Sequence, residues 1–86
     1  MASTTTPDWR KLDAQNLVVM NYHREALLWR EVVYRAQEDF ERYPSNLTLD
    51  MYNAALDSLR AARDSVKAEQ AVSLTLWEQA VRRAGF

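Results

Sequence analysis

Residues 12–43 carry two interleaved seven-residue series of apolar side chains, and no other feature limits the fold as tightly. One series runs Leu12, Val19, Ala26, Val33, Phe40. The other, three places on, runs Gln15, Tyr22, Trp29, Ala36, Tyr43. Nine of these ten positions are apolar or aromatic, which is the a/d pattern of a coiled-coil seam that one helix buries against another. No Gly or Pro interrupts the stretch. The spacing predicts a helix of about 35 residues, roughly 50 Å long.

The ends of that helix are marked by local signals. Thr6-Pro7-Asp8 reads as a start: Thr6 can cap, proline suits the first helical position, and the carboxylate favours the positive end of the helix dipole. Residues 1–6 are small and polar and are expected to form a flexible tail. Tyr43-Pro44-Ser45-Asn46 reads as the stop, because a residue before proline is pushed out of the helical region and Ser and Asn favour turns. Thr48 is the expected cap of a second helix, with Asp50 in its first turn.

The second helix shows a one-sided core face of Tyr52, Ala55, Leu56, Leu59, Ala62 and Val66. Opposite runs a face of alternating charge sign from Asp50 to Lys67, which reads as solvated. A line of small residues, Ala54, Ser58, Ala61, Ser65 and Ala68, would admit close approach of another helix. Periodicity weakens near Glu69-Gln70 and resumes with Leu74, Leu76, Trp77, Ala80, Val81 and Ala84. Ser73 and the box Thr75-Leu76-Trp77-Glu78 are both candidate caps for a short third helix after a break near 71–73. No Gly or Pro stands there, so the expectation is continuity to 84. Gly85 then closes the helix beside Arg82 and Arg83, and Phe86 is an apolar end able to fold back on the core.

Helix 7–43, turn 44–47 and helix 48–84 make one all-α domain over 7–86, an antiparallel helical hairpin. The first helix is too apolar for that plan alone. Met20, Leu27 and Tyr34 form a further seven-residue series, roughly 100° round from the first. Leu17 and Leu28 lie beside it, with Arg24 and Glu31 on its flank, while Val18 and Val32 widen the main face. A two-helix hairpin buries one stripe, so this surplus predicts a second packing surface. The seven residues Leu17, Met20, Arg24, Leu27, Leu28, Glu31 and Tyr34 are therefore the candidate partner or dimer interface. Two hairpins pairing into a four-helix bundle would cover it.

Composition restricts the chemistry. With 86 residues the chain holds one modest core. Its 48% hydrophobic content is too high for disorder. Eleven basic and twelve acidic residues give no bulk attraction to nucleic acid or anionic membrane. There is no cysteine, hence no disulfide and no thiolate nucleophile or ligand. The opening Met-Ala-Ser-Thr-Thr-Thr-Pro lacks the charged and apolar regions of a secretory signal, and no run is apolar enough to span a bilayer. An intracellular, cytoplasmic protein is expected, and Asn46-Leu47-Thr48 is then not a glycosylation acceptor.

Catalytic signatures are missing too. One glycine cannot build a phosphate-cradling loop, and the single histidine, His23, has no Asp or Glu three or four places away to join it as a ligand. No catalytic residue, metal ligand or cofactor is expected. Small dimeric chorismate mutases share the size and helicity, and Arg24, Arg35 and Arg60 could be cast as a dianion clamp, but the spacing does not follow that family's pattern. Secreted WXG hairpins have the same plan, yet no Trp-x-Gly stands in this turn. The reading is a non-enzymatic protein–protein interaction module: an adaptor, a structural subunit or an inhibitor, of a kind a phage might encode. It is expected to form a homodimer. A DNA-associated regulator is the alternative, opposed by the balanced charge.

Overall fold

A computed structural model describes residues 7–85 as two α-helices and the turn between them. Helix α1 spans Pro7–Arg42, 36 residues, and α2 spans Asn46–Ala84, 39 residues. Among the described residues there is no strand. The tail at residues 1–6, the Thr6 cap and the fold-back of Phe86 lie outside the described residues.

The helices run antiparallel, as two facts at different heights require. Gln15 Nε2 donates to the Glu69 carbonyl oxygen at 3.0 Å and to Glu69 Oε2 at 2.6 Å. At the open end, Arg83 Nη1 meets Asp8 Oδ1 at 2.7 Å. Asp8 and Arg83 each suit the dipole of their own helix terminus, and the antiparallel arrangement brings the two charges together. Gln15 is the one polar residue in the heptad series, and it supplies the polar tie across the seam.

The cap of α2 lies three residues before the expected one. It is Ser45, in extended conformation, not Thr48. Thr48 N donates to Ser45 Oγ at 3.1 Å, and Ser45 N donates to Thr48 Oγ1 at 3.0 Å. This is a capping box whose third helical position holds Thr in place of the usual Glu or Gln. The Thr48 hydroxyl also donates to the Tyr43 carbonyl at 2.8 Å, locking the turn to the end of α1. Asp50 consequently falls beyond the first turn of α2, and α1 stops at Arg42, with Tyr43 exposed.

α2 is continuous through 71–73. Thr75 caps nothing; its hydroxyl donates to the Ala71 carbonyl inside the helix at 3.1 Å. Ser73 Oγ is buried without a partner. The acceptor a helical serine ordinarily uses is the carbonyl four residues back, Glu69 O, and that oxygen here accepts from Gln15. Gly85 ends α2 in the left-handed region at φ 82°, its N–H donating to Arg82 O at 3.1 Å.

The core is a narrow seam. Its buried members are Leu12, Ala26, Val33 and Ala36 from α1 with Ala55, Leu59, Ala62, Val66 and Ala80 from α2. Five of these nine are alanine, so the backbones approach closely and little large apolar surface is enclosed. Half-buried Trp29 bridges two clusters, one built on Val33, Ala36, Ala55 and Leu59 and the other on Ala26, Ala62 and Val66. The heptad reading of α1 and the core face of α2 thus hold, with Tyr43 the exception. The surface ion pairs are fewer than the sequence offers. Glu31–Arg35 forms at 3.6 Å, whereas among the described residues Arg35–Asp39 and Glu38–Arg42 do not.

Candidate partner-binding surface

Every member of the predicted interface is exposed: Leu17, Met20, Arg24, Leu27, Leu28, Glu31 and Tyr34. They do not form one uniform face. Leu17 and Leu28 are 62% and 69% exposed, against 49% and 48% for Leu27 and Tyr34. Leu17 and Leu28 lie on the side of α1 turned away from its buried seam residues, Leu27 lies at the edge where the helices meet, and Tyr34 borders a hollow lined by α1 alone. Arg24 and Glu31 share the outer side, and Glu31 is held by Arg35.

A groove of about 320 Å³ opens along that edge. Its floor is Ala26, Leu59 and Val66, the tops of the seam residues. His23, Leu27 and Arg30 form the α1 wall, and Arg63, Lys67 and Gln70 form the α2 wall. No lining residue is acidic. Arg30 is positioned by its neighbour one turn on: its Nε donates to Tyr34 Oη at 3.1 Å, and the guanidinium carbon lies 5.5 Å from the centre of the Tyr34 ring. Arg30, Arg63 and Lys67 enter none of the ion pairs formed among the described residues.

Lys67 is exposed, as its place on the charged face implies, and it also borders the groove beside apolar atoms. Surplus apolar surface, expected on α1, is found on α2 as well: Met51, Val72, Leu74 and Trp77 are exposed. Leu74 and Trp77 follow Gln70 by four and seven places and so continue the line of the α2 wall. Periodicity alone groups them with Leu76 and Ala80 as core. The seam takes only the inward members of that cluster, Ala80, Leu76 and Val81, and leaves the larger side chains outside.

On the opposite edge lie the small residues Ser58, Ala61 and Ser65. They border a hollow of about 250 Å³ whose other side is Tyr22, Glu25 and Trp29. A third hollow of about 480 Å³ lies on α1 alone, over Tyr34 and the charged Glu31, Arg35, Glu38 and Glu41. Among the described residues, no three His, Cys, Asp or Glu side chains gather as metal ligands. None of the described helices is long and apolar enough to cross a membrane. No protein-family model, curated protein or solved structure matches this chain.

Proposed function

We propose that this protein is a non-enzymatic interaction module that acts by docking apolar helix faces against another protein, first of all a second copy of itself. One observation carries the reading: more large apolar side chains lie exposed than buried. Fourteen are exposed among the described residues, including Leu17, Met20, Leu27, Leu28 and Tyr34, whereas the buried large aliphatics are Leu12, Val33, Leu59 and Val66. Surplus exposed apolar surface marks contact sites on small proteins. Burial of it would also add stability that a two-helix seam rich in alanine does not supply by itself.

The dimer follows from the same surface. Two hairpins joined through the outer side of α1 form a four-helix bundle in which Leu17, Leu28 and the Met20–Leu27–Tyr34 line become core. Met adapts to irregular partners, and Tyr and Arg are common interface anchors. The double variant Leu27→Glu with Tyr34→Glu tests this by chemical crosslinking at micromolar concentration. Wild type should give a dimer band and the variant should lose it, with circular dichroism helical in both. His23→Ala should crosslink as wild type does. Crosslinking that survives the double variant and fails in His23→Ala would refute the reading.

A further inference from the structure

We infer that the groove between the helices is a docking channel for an acidic amphipathic helix of a second protein. The inference rests on the interaction-module reading and adds the site and the chemistry of the partner. The chain carries a net charge of −1, yet the groove walls carry Arg30, Arg63 and Lys67 and no carboxylate. Such segregation leaves three unpaired cations around an apolar floor. Neutralising them takes carboxylates, and filling the trough between them takes apolar side chains. An amphipathic helix with acidic flanks offers both at helical spacing.

Shape decides among anionic partners. A trough between two antiparallel helices accepts a third helix along its length. A flat bilayer cannot reach Ala26, Leu59 and Val66 at the base, and a phosphate backbone brings no apolar atoms to cover them. The channel also has a direction. Cations occupy the end nearer the turn, and exposed Met20, Leu74 and Trp77 continue the line toward the open end of the hairpin. From Arg63 to Trp77 the wall is about 20 Å long, some four helical turns. The partner helix therefore carries its acidic residues at one end and large apolar residues at the other. Leu17 and Leu28 point away from this channel, whereas Leu27 lines it and Met20 continues it, so the partner helix and a second copy share part of α1 and excess peptide should weaken the dimer crosslink.

A fluorescein-labelled helical peptide of about 18 residues, with leucines in its seam and glutamates on both flanks, tests the inference against the same peptide with lysine at each glutamate. The full chain should bind the glutamate peptide saturably and about tenfold more tightly than the lysine peptide. Added salt should narrow the gap. Arg63→Glu with Lys67→Glu should reverse the preference, and Arg63→Gln with Lys67→Gln, a milder change, should abolish it. Equal binding of both peptides, no binding of either, or a preference that survives both variants overturns the inference. So does tighter association with phosphatidylserine vesicles than with the glutamate peptide, which would assign the groove to a membrane surface. A chain that crosslinks as a dimer but ignores both peptides refutes the channel and leaves the interaction-module reading standing; a chain that does neither refutes both.

Discussion

Trp29 joins the two halves of the buried seam. It packs against both buried clusters, in a seam where most neighbours are alanine. Trp29→Ala should cost about 3 kcal/mol, the low end for large aromatic truncation because the indole is only half-buried; denaturant unfolding measures it, and a midpoint equal to wild type would place Trp29 outside the core. Ser45 works differently, satisfying the backbone rather than filling space. Ser45→Ala should cost about 1 kcal/mol and fray the start of α2, which amide hydrogen exchange at residues 46–49 would detect. An unchanged exchange rate there would show that the Thr48 hydroxyl alone holds the turn. Ser45 is hard to find from sequence because the usual signature asks for Glu or Gln three places on, and here Thr48 fills that role. Gln15, by contrast, is visible as the one polar break in the heptads, although its partner Glu69 is not.

At the scale of the element, α1 was legible because its seam repeats from Leu12 to Tyr43 with Gln15 as its one polar member and no Gly or Pro. The middle of α2 was less so. Glu69 and Ser73 interrupt the apolar face, which reads as a possible break, but both sit on the helix side that meets α1: Glu69 accepts from Gln15, and Ser73 is partly buried beside it. A polar residue facing a seam weakens the hydrophobic signal without ending the helix. Gln15→Ala should therefore leave α2 helical while removing this tie. It should lower stability by about 1 kcal/mol, with the mean helical signal in circular dichroism unchanged at low temperature. Loss of helicity confined to residues 69–76 would mean that the bond holds a true break together.

Which side chains of one helix end up beside which of the other is a property of the pair. It depends on the rotation of each helix about its own axis, and a single periodic pattern does not fix that. Hence the residues of the proposed interface on α1 are exposed, as their periodicity implies, but periodicity does not show that Arg63 and Lys67 border the same groove as Leu27. The pairing also shapes the whole molecule, a rod of 62 × 22 × 14 Å with a radius of gyration of 19.2 Å, against about 12 Å for a compact domain of this length. A rod two helices thick has no interior where a large side chain is shielded on all sides. Its largest apolar residues accumulate at the surface, and association is the direct way to bury them. If a second copy buries that surface in the folded state, stability must depend on protein concentration, because mass action favours the species that pairs. Thermal unfolding followed by circular dichroism from about 1 to 100 μM tests this most directly. The Tm should climb by about 3–5 °C per tenfold increase in concentration. A Tm that stays constant across the range would contradict pairing in the folded state.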